Sequence, residues 1–417
     1  MQTRRDFLKT ALLSTSPALL TPKAQAQKAN RPLTGLATPD FRLMDEKVSN
    51  WLRETEKPGG VLVIAHQGRL IYARGFGYAD VKAQREFTPT TPFRYGSVAK
   101  WFTAMCFMRL VEKGMLNLDF SISTCKPLLS MLTQEVRNDA NLPDLTYRNL
   151  LSHKSGLKYT KHFQNDWCRI KGGKLVGLDE WVRFGLSEGF KWKPGTQTEY
   201  TNFNYILAHF LQEKLSGQPY DLFIQNEIFK RAGVSGISLA GMREPDRLPD
   251  ESQYYVIGDP KWKSIWPEDN GKEVGAAYNT DLRTAAGAGG YRGSALALLR
   301  LMTEFAWDGR KPPLKRESVF EMIDGKALQN PPCHTQGMGL AAGSDFKNSY
   351  WWGTGGMTPG MSTTITRRAD STVYVFAFNS NNDLDPGNGP LNDLVLHTLD
   401  EIRGKPQADF WSRFPTT

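Results

Sequence analysis

Tyr95-Gly96-Ser97-Val98-Ala99-Lys100 runs directly into Trp101-Phe102-Thr103-Ala104-Met105-Cys106-Phe107-Met108-Arg109-Leu110-Val111-Glu112-Lys113-Gly114. The second half is a run of helix formers and apolar residues with no proline, and Gly114 supplies the left-handed residue that ends such a helix. Ser97 falls in the first turn and Lys100 three residues later, so both side chains share one face. First-turn N–H groups lack intrahelical partners and the local dipole is positive. Such a setting favours an oxyanion beside Ser97 and disfavours an ammonium on Lys100. A lysine with a lowered pKa can take the serine proton, which is the chemistry of a Ser/Lys nucleophile.

The spacing alone is weak evidence. S-x-x-K occurs four times, at Ser97/Lys100, Ser123/Lys126, Ser155/Lys158 and Ser344/Lys347. Only Ser97 opens a long apolar helix, and it also follows a glycine that lets a substrate approach the backbone closely.

The rest of the 417-residue chain is ordinary in composition, 40% hydrophobic and 23% charged with eleven tryptophans, enough for one large domain or two lobes. Its start reads as a targeting segment. Thr3-Arg4-Arg5-Asp6-Phe7-Leu8-Lys9 precedes a short apolar run, Ala11 to Leu20, and then Ala24-Gln25-Ala26. This is the pattern of a twin-arginine export signal, removed after about Ala26, and it predicts a soluble periplasmic protein with no transmembrane segment. Residues 1–26 carry a net +3 of the formal +9, leaving +6 on the mature chain without a basic block. That balance serves solubility and gives no nucleic-acid signature. Cys106, Cys125, Cys168 and Cys333 match no zinc spacing, and export in the folded state favours buried thiols over bridges. The six histidines show no metal pattern, and the motifs call for no cofactor.

After a polar linker, Phe41–Leu52 has helical periodicity and Gly60–Gly77 reads as a β-hairpin. From the Ser97 helix to about residue 280 the pattern is mainly helices and long loops. Strands return at Gly337–Ala342, Met361–Thr366 and Val373–Asn379, and a last helix covers about Leu391–Arg403. Elements from both chain ends then build one sheet, giving an α/β (α+β) fold: an antiparallel sheet flanked by terminal helices. The sheet lobe takes about residues 39–95 and 281–417, and a mostly helical lobe about 96–280, with Ser97 at the mouth of the cleft between them.

Further stretches carry a resemblance. Gly96-Ser97-Val98-Ala99-Lys100 is similar to the first motif of the serine β-lactamase and penicillin-binding-protein superfamily. Leu150-Leu151-Ser152-His153-Lys154-Ser155-Gly156-Leu157 resembles the "LL-x-H-x-SGL" turn of its class C β-lactamase-like branch. Pro194-Gly195-Thr196, leading to Tyr200-Thr201-Asn202, resembles the Y-x-N motif. Gly289-Gly290-Tyr291 with the Ser294 helix resembles a further stretch, and Gly353-Thr354-Gly355-Gly356 falls where the third motif belongs. The resemblance covers nearly the whole mature chain in the expected order and implies that family's sheet-plus-helical-lobe fold. It also implies a hydrolase of small-molecule ester, amide or β-lactam substrates, working through an acyl-enzyme on Ser97.

In that scheme Tyr200 passes a proton between Ser97 and the leaving group, and Asn202 hydrogen-bonds Lys100 and a substrate carbonyl. Tyr147-Arg148-Asn149 has the same spacing but no special context. The oxyanion hole uses the N–H of Ser97 and, by the resemblance, that of Gly356 on an edge strand. The third motif ordinarily begins with a cation, K-T-G or H-x-G, whereas this chain has Gly353. The missing charge points away from carboxylate-bearing β-lactams or D-peptides and towards an esterase or amidase on neutral or apolar substrates. Trp351, Trp352, Tyr254, Tyr255, Trp262 and Trp266 are candidates to line such a site. Gly185-Leu186-Ser187-Glu188-Gly189 matches G-x-S-x-G, but it sits at the end of a helical pattern where a nucleophile elbow needs a preceding strand. His153 reads as a turn or core residue.

Overall fold

The structure is a computed structural model that describes residues 31–159, 175–258, 261–306, 309–324, 335–344, 350–381, 389–402 and 405–415. The export segment therefore lies outside the described residues, as do Lys347, Cys168 and Cys333. Cys106 and Cys125 are buried free thiols.

One nine-stranded antiparallel sheet draws on both ends of the chain. Its strands are β1 (Leu33–Leu36), β2 (Gly59–His66), β3 (Arg69–Asp80), β4 (Arg85–Glu86), β5 (Thr335–Gln336), β6 (Ala341–Ser344), β7 (Tyr350–Thr358), β8 (Met361–Arg368) and β9 (Thr372–Phe378). The spatial order is β1-β3-β2-β9-β8-β7-β6-β5, with β4 on β3. The join between the two chain ends is β2 on β9, with Val63 opposite Val375.

The paired strands β2 and β9 are largely apolar because the sheet is covered on both faces there. On one face Leu62, Ile64, Tyr374, Phe376 and Phe378 pack against helices α1 (Arg42–Glu54) and, near the C-terminus, α6 (Gly389–Glu401). Phe41, Met44, Val48 and Leu52 are the buried stripe leading into and along α1. Each such side chain contributes roughly 1.5–3 kcal/mol by leaving water. The alternate residues Val61, Val63, Ala65, Val373, Val375 and Ala377 face the large inner core. That core holds α2 (Ala99–Glu112), α3 (Leu178–Ser187), α4 (Asn202–Ser216) and α5 (Ala295–Phe305).

Every residue of α2 from Ala99 to Leu110 is buried, so this helix is apolar all round and sits inside the protein. Met115 N–H donates to the Leu110 carbonyl and Gly114 N–H to that of Val111, the paired bonds that close a helix C-terminus. A deeply fixed α2 holds the residues at its N-terminus still. Among the described residues no helix is long and apolar enough to cross a membrane.

Candidate active site

Ser97 lies in a 3-10 turn, Gly96–Val98, that feeds α2. Gly96 has φ +57°, and a Cβ there would come 2.8 Å from the Met357 backbone nitrogen and oxygen, so only glycine permits the turn to meet β7. Lys100 is on the first turn of α2 and buried. Its Nζ lies 3.0 Å from Ser97 Oγ, 2.7 Å from Asn202 Oδ1 and 2.7 Å from the Ala288 carbonyl oxygen. Burial lowers the Lys100 pKa below its ordinary value, and the neighbouring Tyr200 hydroxyl opposes that shift. A neutral amine has two N–H bonds and one lone pair. In that form, with its N–H bonds given to Asn202 and Ala288, the amine would turn its lone pair to Ser97.

Tyr200 and Asn202 reach the same point from the far side. Tyr200 ends an irregular segment, Thr201 is extended (φ −145°, ψ 139°) and caps α4 by accepting the Phe203 N–H, and Asn202 is the first helical residue. The Tyr200 hydroxyl donates to Ser97 Oγ at 2.7 Å, and the residue is 48% exposed. The Lys100 nitrogen is 4.9 Å from the Tyr200 ring centroid. Ser97, Lys100, Tyr200 and Asn202, drawn from two parts of the chain about a hundred residues apart, thus form one hydrogen-bonded cluster.

The third motif needs correcting by one residue. Thr358 and Met361 close the two-residue turn Pro359-Gly360 and are therefore a mutually hydrogen-bonded pair. Alternation along the ladder makes Gly356 with Thr363, and Thr354 with Ile365, bonded pairs too. The Gly356 N–H is thus engaged with Thr363, and the expected oxyanion donor is turned away from the nucleophile. Gly355 and Met357 instead present their N–H and C=O groups to the open side of β7, where the Gly96–Val98 turn packs. The backbone N–H on that open side next to the Ser97 turn is therefore that of Met357. Gly356 has a different duty: a Cβ there would overlap the Tyr95 carbonyl and come 2.8 Å from the Ser97 nitrogen.

The same alternation moves the position expected to carry a cation. Thr354 shares the inner face with Gly356, whereas Gly353 faces the outer side of the sheet. There Gly353 lines a cavity of about 420 Å³ with Thr366, Tyr374, Asn392 and Leu396. A side chain at 353 would not point towards Ser97. Of the aromatics proposed to line the site, Trp352 is core against Phe305, and Trp351 lines the outer cavity. Tyr254 and Trp266 are buried, Tyr255 accepts the Val81 N–H, and Trp262 is exposed on another small sheet.

Ser187 is the last residue of α3, and its hydroxyl donates to the Phe184 carbonyl, so no strand-to-helix elbow exists there. Ser123 donates to Ser121 and Ser155 to Asn204. Two participants were not foreseen: the Ala288 carbonyl, whose only signal was the glycine-rich stretch 287–290, and the Met357 N–H. Among the described residues no cluster of His, Cys, Asp or Glu could hold a metal ion.

The β-lactamase family profile matches residues 44–397, which contain all of these positions. The chain belongs to the serine β-lactamase and penicillin-binding-protein superfamily. A Bacillus subtilis (strain 168) protein named "Putative penicillin-binding protein PbpX" is 29% identical over 232 residues, 52% of this chain. The match spans only 54% of that relative's length. D-amino acid amidase from Ochrobactrum anthropi SV3 superposes with a TM-score of 0.68 at 21% identity, covering 88% of this chain and 100% of the amidase. A class C β-lactamase from Rhodobacter sphaeroides superposes with 0.64 at 18% identity, over 85% of this chain and 99% of the enzyme. These two superpositions establish the β-lactamase-type mixed α/β fold.

Proposed function

We propose that this β-lactamase-family protein is an acyl-transferring serine hydrolase whose preferred substrates are neutral or apolar esters or amides. Neutral Lys100 takes the proton as Ser97 Oγ bonds to the substrate carbonyl carbon. The resulting oxyanion accepts hydrogen bonds from the Ser97 and Met357 N–H groups, and Asn202 holds Lys100 in place. On collapse, the carbon–leaving-group bond breaks and the leaving group receives the Tyr200 proton, which the Lys100 ammonium replaces directly, its side chain being hydrogen-bonded to that of Tyr200. Water then cleaves the acyl-enzyme by the reverse relay.

The observation that carries the substrate class is Thr354. Two residues before Gly356 on the nucleophile's face, where the resemblance leads one to expect a cation, this chain has an uncharged hydroxyl. Charge-assisted hydrogen bonds contribute about 1.5–3 kcal/mol, so its absence removes roughly ten- to a hundredfold from carboxylate-bearing substrates. A second reading, a β-lactamase, a D,D-peptidase or a protein acylated without turnover, is favoured by the penicillin-binding name of the Bacillus relative. Values of kcat/KM for p-nitrophenyl acetate, nitrocefin and a D-alanyl-D-alanine peptide decide between them, and clear preference for either carboxylate substrate overturns the ester reading. Periplasmic location belongs to the same proposal and rests on residues 1–26; cell fractionation with and without the paired arginines tests it.

A further inference from the structure

His153 follows the short helix Tyr147–Leu151 and adopts φ +59°, an uncommon backbone conformation for a residue with a Cβ. Both its main chain and its ring face the segment that carries Tyr200. The Glu199 N–H donates to the His153 carbonyl at 2.9 Å, and the Thr201 N–H donates to His153 Nδ1 at 3.3 Å. The residues on either side of Tyr200 are therefore tied to one histidine. Between those ties the imidazole lies against the Tyr200 ring, with centroids 4.5 Å apart and a 35° tilt. Its other side meets Tyr205 at 5.2 Å.

The protonation state follows from the partners. A backbone N–H can only donate, so Nδ1 is the acceptor and the ring proton sits on Nε2. Asn204 approaches the same Nδ1 at 3.3 Å, and its Oδ1 accepts from Ser155, which leaves the amide nitrogen to face the histidine. Nε2 is buried with no partner among the described residues. Burial first, and the nearby Lys100 second, hold the imidazole down to about 3, so it stays neutral. A histidine that served only to fill the core would not need to bond both flanks of Tyr200 and stack on its ring.

We propose that His153 is a positioning residue that fixes the Tyr200 hydroxyl at Ser97, as an uncharged acceptor and a stacking surface. This rests on the reading of Tyr200 as the proton relay. His153 makes no contact with the reacting atoms and acts through Tyr200.

The test uses the mature protein and measures, for each variant, the rate constant and final stoichiometry of fluorophosphonate labelling at Ser97, together with ester kcat and KM. His153→Phe keeps a ring but loses the acceptor. It is expected to lower the labelling rate and kcat by about ten- to a hundredfold, with KM little changed and labelling still reaching one per chain. His153→Asn keeps an acceptor at the Nδ1 position and tolerates positive φ, so it should recover most of that loss. In a Tyr200→Phe background, His153→Phe should cost less than about threefold, because the two act as one unit. Three results overturn the proposal: an undiminished rate in His153→Phe, the same factor lost in the Tyr200→Phe background, or reduced stoichiometry with an unchanged rate per labelled chain. If His153→Phe does not fold, His153→Asn carries the test, since the smaller loss from its missing ring must vanish in the Tyr200→Phe background. Failure of the wild type to label at Ser97 sinks the proposed function instead.

Discussion

The Tyr200 hydroxyl donates to Ser97 Oγ over 2.7 Å, and Lys100 Nζ stands 3.0 Å from the same oxygen. One oxygen thus meets a buried amine and a half-exposed phenol. That division separates their roles. In the proposed mechanism the amine takes the serine proton, and the phenol meets the leaving group.

If the two groups form one relay, Lys100→Ala and Tyr200→Phe should each slow acylation by about 10²–10⁴-fold. The double variant should fall little further, because members of one catalytic unit are non-additive. Burst kinetics on an activated ester measure this, and multiplicative losses would show two independent contributions.

The pH dependence follows from burial. Lys100 has a folded-state pKa lowered from 10.5, so below 10.5 the unfolded chain binds this proton more tightly than the folded one. Stability from this group rises with pH across that window, and acylation falls as acid protonates the amine. His153 behaves similarly at lower pH. Its pKa is lowered from 6.5 to about 3, so its contribution is full above 6.5 and is lost as pH falls towards 3. Tm measured against pH should therefore decline more steeply between 6.5 and 3 in the wild type than in His153→Asn.

Gly356→Ala should abolish the close approach of β7 to the Ser97 turn while leaving the bonded Gly356/Thr363 pair in place. Losing one aligned oxyanion donor typically costs 10²–10³-fold in rate, and a loss of about that size is expected together with a lowered Tm, since the added Cβ overlaps the Tyr95 carbonyl. Circular dichroism with single-turnover kinetics checks it, and wild-type acylation by Gly356→Ala would contradict the assigned oxyanion hole.

Much of this site was legible in the sequence because its signals are local. Ser97 and Lys100 share a helix turn, and Tyr200 precedes a capped helix, so residue types at fixed spacing were enough. The third motif was different. Thr354-Gly355-Gly356-Met357 has almost no side-chain signal, and its register depends on strand pairing that begins at Thr358/Met361. A one-residue slip exchanges inner and outer faces, which is why Gly353 and Gly356 were expected in places that the register of β7 gives to Thr354 and Met357. The short strand β1 and the Ala288 carbonyl were equally silent, since both act through backbone alone. His153 showed as a turn residue, and nothing in sequence could reveal which tyrosine its ring would touch.

Substrate class can be probed at the corrected position. Thr354→Lys should raise kcat/KM for nitrocefin by about tenfold or more, by adding a charge-assisted contact, and leave p-nitrophenyl acetate nearly unchanged. Gly353→Lys should not produce that gain, and because a Cβ at 353 would come 2.2 Å from the Ile365 carbonyl oxygen it should also lower Tm. Equal effects from the two substitutions would contradict the assignment of faces along β7.

The central claim is that Ser97 is the nucleophile. Incubating the mature protein with a fluorophosphonate and mapping the adduct by peptide mass spectrometry tests it most directly. One label per chain is predicted, on the peptide containing Ser97, and it should be absent from Ser97→Ala. A label on Ser187, or a wild-type protein that remains unlabelled while folded, would contradict the account.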